Sequence, residues 1–222
     1  MSYMFDSCEN LNSLELSNFD TNQVKNMSGM FWGCIGITNI DLSSFNNKNG
    51  LDMSYMFENC DFFVTLNLSN FNTENAIDMS CMFKGCINLL DIDISSFNTK
   101  SVIDMSYMLD SLNLIKSLND LYFNTNRIQN MSYMFYYCNS LEILNLSNFD
   151  TIEVLDMSFM FQYCCTIKFL NIMNFNTEKV ENISGMFGFC LSLSNIPIDN
   201  FDTNTLKVCI IMIYFLANIN NM

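Results

Sequence analysis

The side chains best equipped for chemistry in this chain are thiols, thioethers and carboxylates: ten Cys, eighteen Met, and 23 Asp and Glu, with no His. Seven of the cysteines, Cys8, Cys34, Cys60, Cys86, Cys138, Cys164 and Cys190, recur on a 26-residue spacing, and Leu112 stands where the series skips a member. Such a set can form disulfides, hold a soft metal or zinc, or pack as buried thiols. Zinc sites draw on His or on closely spaced Cys-x-x-Cys pairs, and the sequence has neither. A column that accepts Leu is an apolar column. Neighbouring turns up to ~10 Å apart exceed the ~7 Å reach of a disulfide, so reduced core thiols are expected and no metal is assigned.

The elements that must carry these columns are written on the same spacing. Met-Ser-x-Met-(Phe or Leu) starts at residues 1, 27, 53, 79, 105, 131 and 157, and Ile-Ser-Gly-Met-Phe starts at 183. Residues 1–208 thus form eight 26-residue repeats, with 209–222 as a partial ninth repeat or cap. Within a repeat, position 4 is always Met, position 19 always Phe, and position 2 always Ser. A period in the twenties marks a solenoid, in which each coil has too little core to fold alone and gains it by stacking on its neighbours.

Apolar residues at positions 1, 4, 5 and 8 follow helical spacing, so a short helix is expected there. The Asn or Asp at position 26 and the following Ser would cap its start. Fifteen of the methionines occupy positions 1 and 4, where core packing explains them better than soft-metal binding. Positions 14 and 16 alternate with polar neighbours, the pattern of a half-buried strand. The reading is an α/β solenoid in which parallel strands ~4.8 Å apart line one face of a rod roughly 40 Å long and short helices line the other.

Two polar ladders could carry function. Position 15 reads Glu15, Asp41, Asn67, Asp93, Asn119, Asn145 and Asn171 before ending at Pro197, an outward strip on the strand face. Position 20 holds Asp or Asn in every coil, followed by Thr in seven and by Asn47 in the second. These side chains suit turn backbones, and calcium held between coils is the sharper alternative, weakened by the many neutral amides. In the fifth coil Asp120 falls at a normally apolar place, which predicts a slipped or bulged strand with Leu121 turned inward.

The coils MSYMFENCDFFVTLNLSNFNTENAID (53–78) and MSYMFYYCNSLEILNLSNFDTIEVLD (131–156) resemble the repeat of the BspA-like leucine-rich repeat surface proteins. The resemblance spans residues 1–208. It implies a leucine-rich-repeat-type stack that binds proteins, as in adhesion to host or matrix components, with no catalytic residues to carry over.

Composition narrows the partners. A formal charge of −14 disfavours nucleic acid and anionic membranes. No phosphate loop, dinucleotide fingerprint or nucleophile elbow occurs, and without His the usual acid–base groups are lacking, so neither an enzyme nor a cofactor is expected. The first residues hold no basic n-region, and no apolar run of about 18 residues is present for membrane insertion. A protein or extended peptide bound along the position 15 strip is the expected partner. The alternative is a structural protein that self-associates end to end through open coil ends.

Overall fold

The computed structural model describes residues 1–202 apart from Asn46, Asn70, Asn119, Asp120, Pro197 and Asp199. The position 15 residue Asn119, the displaced Asp120, the strip's terminator Pro197 and the partial ninth repeat therefore lie outside the described residues. Each coil stacks on the next in register: the position 26 residues pair in parallel from Asn26↔Asp52 to Asp156↔Asn182. Short strands form where alternation was read: β1 (Thr65–Asn67), β2 (Asp91–Asp93), β3 (Ile143–Asn145) and β4 (Phe169–Asn171). β1 pairs with β2 and β3 with β4, both parallel and both offset by one coil, as in Leu66↔Ile92 and Leu144↔Leu170.

The expected helix does not form; among the described residues there is none. Positions 1 to 8 instead make overlapping three-residue turns. In the third and fourth coils the amides of Glu58, Cys60 and Met82 donate to the carbonyls of Tyr55, Phe57 and Met79 in their own coil. The intervening amides of Met53, Tyr55, Phe57 and Asn59 donate outward, to Asp78 at the end of the same repeat and to Ser80, Met82 and Lys84 of the following coil, at 2.7–3.0 Å. Alternate amides thus point along the stack, which a helix with its i→i−4 pattern cannot do. Left-handed backbone at positions 3 and 7 makes this possible, as at Tyr55 (φ 59°) and Asn59 (φ 56°). The capping chemistry survives without the helix: Asp52 Oδ1 accepts from the amide and hydroxyl of Ser54 at 3.1 and 2.6 Å.

Side-chain columns fill the interior. Position 5 gives the best ring stack, with Phe5, Phe31, Phe57 and Phe83 at 5.5, 5.5 and 5.7 Å and nearly parallel. The position 19 rings are buried from Phe45 to Phe175 but tilted, Phe71 and Phe97 lying 6.2 Å apart at 31°. The column thiols are free and donate to the position 5 carbonyl of the preceding coil, from Cys34 to Phe5 at 2.9 Å through Cys190 to Phe161 at 3.2 Å. The position 21 threonines are 1% exposed and bond to position 20 of the next coil.

Three of these ladders falter in the fifth coil. Leu109 interrupts the ring stack, Leu112 supplies no thiol, and the described residues of its strand segment pair through the bridge Ser117↔Ile143, while Asn130 keeps its bridges to Asp104 and Asp156. Leu121 is buried at 4% exposure, as an inward slip requires, and Tyr122 stands out at 72%.

Candidate recognition faces

On the strand face Glu15, Asp41, Asn67 and Asn145 are exposed, and Asp93 and Asn171 are half-buried. The ladder brings Asn67 beside Asp93 and Asn145 beside Asn171. Each of these side chains also accepts from the amide two residues on, as Asp41 does from Ser43 at 2.9 Å and Asp93 from Ser95 at 3.1 Å. Hydrogen bonds from Ser17, Ser43 and Ser95 hold the carboxyls of Glu15, Asp41 and Asp93 below their ordinary range, so all three are ionised at neutral pH. The strip therefore braces its own turns while leaving outer oxygens facing solvent.

Alternation leaves apolar side chains outside beside this strip. Val64, Leu90, Ile143 and Phe169, at positions 12 and 13, are each about half exposed. Between the fourth and fifth coils the described residues leave a cleft of ≈ 450 Å³, with Asp91, Asp93, Ser95 and Ser117 around a floor that includes Ile92 and Leu118. Sequence reading placed the described strip residues on the outside but did not foresee this cleft, because a cavity depends on how far two backbones part.

The opposite, turn-lined face changes character along the stack. At position 6 Glu58 meets Lys84 at 3.2 Å, with only 9% of the Glu58 side chain exposed. The Lys84 ammonium lies 5.2 Å from the Tyr107 ring centroid. Asp110 follows in the same column at 4% exposure, and burial pushes its carboxyl up to about 6. Among the described residues no three potential metal ligands gather into a cage.

Beyond Asp110 the turn face is aromatic. Tyr107, Tyr133 and Phe159 stack at 4.3 and 4.8 Å along position 3. Tyr137, Tyr163 and Phe189 follow position 7 at 5.2 and 4.5 Å. Tyr136 touches both rows, 5.4 Å from Tyr133 and 5.7 Å from Tyr163. All six row members have positive φ, between 57° and 64°. Glycine takes the same places at Gly29, Gly33, Gly85 and Gly185. A bulky residue in this conformation costs ~1–2 kcal/mol, which ring stacking at ~0.5–1.5 kcal/mol per pair offsets only in part. Sequence reading missed this face because positions 3, 6 and 7 are the solvent side of the expected helix, where side chains carry no packing signal; the recurrent glycines at positions 3 and 7 were the available signal.

Among curated proteins none matches the chain. Similar solved structures include a leucine-rich repeat protein of T. pallidum, 16% identical, with 63% of this chain and 69% of that one covered and a TM-score of 0.34. A leucine-rich repeat protein of Eubacterium ventriosum is 13% identical over 80% of this chain, at a TM-score of 0.41, and the match spans 59% of that protein's length. A leucine-rich cell surface protein of Faecalibacterium prausnitzii is 14% identical over 92% of this chain and 77% of its own, with a TM-score of 0.31. The family described as "Mycoplasma protein of unknown function, DUF285" matches residues 1–121 and again 113–222, and the chain therefore belongs to the DUF285 family.

Proposed function

We propose that this chain is a non-enzymatic protein-binding module of the adhesion type, whose strand face receives an extended, basic segment of a partner such as a host or matrix protein. The observation that carries the reading is the parallel course of two exposed columns: the position 15 strip with its ionised Asp41 and Asp93, and the apolar Val64, Leu90, Ile143 and Phe169 beside it. Modest contacts repeated over successive coils add up without a deep pocket. The cleft at Asp91 and Asp93 would accept a Lys or Arg side chain, aliphatic stem against Ile92 and charge against the carboxylates.

The test is Asp41→Asn combined with Asp93→Asn, which removes charge while keeping an oxygen for Ser43 and Ser95. Capture of basic matrix proteins is measured at low and moderate salt. Wild type should bind with marked salt sensitivity and the double variant about tenfold more weakly at low salt. Equal binding by the two, or none by wild type, refutes the reading.

A further inference from the structure

The aromatic end of the turn face is separate from the strand strip, and its chemistry differs. At positions 3, 6 and 7 the sixth to eighth coils carry Tyr133, Tyr136, Tyr137, then Phe159, Gln162, Tyr163, then Gly185, Gly188, Phe189, without one Asp, Glu, Lys or Arg in a chain of net charge −14. A partner here is recognised without charge. Tyr137 and Phe189 are 41% and 40% exposed. Tyr163 stacks on Phe189 at 8° and Tyr133 on Phe159 at 25°, while Tyr137 tilts 55° from Tyr163, and the rings form two ridges along the stack. Tyr136 bridges the ridges in the sixth coil. In the next coils the floor between them is Gln162 and Gly188, where a glycine Cβ would meet the Gln162 amide nitrogen at 2.9 Å.

Positions 3 and 7 are left-handed in every coil, whether filled by Gly33, Asn59, Ser111 or Tyr163, so the backbone is common to the stack and what sets this end apart is the run of rings that fills it. The spacing points to the occupant. A polyproline II helix repeats every three residues, about 9.3 Å, and two coils of the stack advance roughly 9.6 Å. Its backbone has no internal hydrogen bonds, so its carbonyls are open to phenol and amide donors, while its proline rings fit between aromatic edges. A pyranose would need an open ring face, and stacking covers the shared faces of Tyr133 and Phe159 and of Tyr163 and Phe189.

We infer that the ridges formed by Tyr133, Phe159, Tyr137, Tyr163 and Phe189, with Gln162 between them, bind an uncharged proline-rich segment of a partner protein lying along the solenoid axis. The surface is independent of the strand face. The ring edges grip the prolines, and Gln162 and the tyrosine hydroxyls donate to peptide carbonyls.

The experiment titrates the whole chain with capped decaproline, with a capped Gly-Ser peptide of equal length and with a neutral cello-oligosaccharide, followed by calorimetry and tyrosine NMR. Decaproline should saturate with a Kd below about 1 mM, and the other two should not. Tyr137→Gly with Tyr163→Gly should weaken binding at least tenfold while the melting temperature holds or rises, because glycine accepts the positive φ of 59° and 64°. Tyr137→Phe with Tyr163→Phe, which keeps the ridges, should lose less. Asp41→Asn with Asp93→Asn should leave decaproline binding unchanged. The inference is overturned if decaproline does not saturate, if the glycine variant binds as well, if the strand-face variant abolishes binding, or if the oligosaccharide binds instead.

Discussion

Thr125 and Asp150 exchange two hydrogen bonds across one coil step: the Thr125 hydroxyl donates to the Asp150 carbonyl at 2.8 Å and accepts from the Asp150 amide at 2.7 Å. Thr151 repeats the pair with Asn176 at 2.9 and 2.7 Å, and Thr99 donates to Asn124 at 2.9 Å. One hydroxyl thus supplies both a donor and an acceptor to a buried stretch of backbone. Thr125→Val keeps the shape but leaves two backbone groups unpaired, and it should cost about 2–4 kcal/mol in urea unfolding. Thr125→Ser keeps the hydroxyl and should cost about 1 kcal/mol. A valine variant no less stable than the serine variant would show that the exchange contributes nothing.

The second coil lacks this device. Asn47 occupies the threonine position with no exposed surface, and neither its amide nitrogen nor its oxygen has a partner among the described residues. Asn47→Thr should therefore stabilise the chain, by about 1–2 kcal/mol, since it removes buried unpaired groups and puts a hydroxyl one coil before Asn72. The opposite signs at two equivalent positions, a loss at 125 and a gain at 47, are the outcome to measure. Destabilisation at 47 would mean that the amide is satisfied.

Much of this architecture was legible because the repeat is strict. Position 4 Met and position 8 Cys read as core, and from the second coil on they are buried. The alternation around Leu66 and Leu144 read as strand, and β1 and β3 lie there. The helix was misread for a physical reason: apolar spacing of three and four residues is produced by a helix and equally by overlapping turns that bury the same side. What separates them is the sign of φ at positions 3 and 7. Gly29, Gly33, Gly85 and Gly185 mark it, while Tyr55, Tyr133 and Tyr163 at the same positions conceal it, since bulky residues rarely take positive φ. The cysteines read as packing groups, and their second role, as donors to carbonyls such as Phe57 from Cys86 at 3.1 Å, needed the coil-to-coil geometry.

Asp110 sets a pH dependence. Burial raises its folded-state carboxyl from 3.8 to about 6, so the folded chain holds more protons than the unfolded chain between those values. The groups packed around it are Lys84, Glu58, Ser111 and Tyr107. The ionised carboxylate opposes folding above pH 6, and this penalty fades as pH falls and vanishes below about 4. Asp110→Asn should therefore stabilise by about 3 kcal/mol at pH 7.5 and leave stability nearly unchanged relative to wild type at pH 4. Chemical denaturation of both proteins across that range is the measurement, and a difference independent of pH would locate the titration elsewhere.

The thiols offer the last prediction. Burial pushes Cys34 up to about 11 and Cys86, Cys138 and Cys190 to about 12, and it raises Cys164 well above the ordinary thiol range. Only the thiolate attacks a disulfide reagent, and at pH 8 these sulfurs remain protonated as well as covered. Cys8 and Cys165 are only half-buried. In the native protein an aromatic disulfide reagent should therefore label Cys8 and Cys165 within minutes, and the buried column only after denaturant is added, as peptide mass spectrometry would resolve. Because each column thiol also donates to a carbonyl, Cys138→Ala should cost about 1–3 kcal/mol from the lost sulfur and the unmet Leu109 carbonyl at 3.2 Å. A reducing agent should not move the melting temperature. A drop of several degrees on reduction, or uniform native labelling of the column, would break the account of these cysteines as packed hydrogen-bond donors.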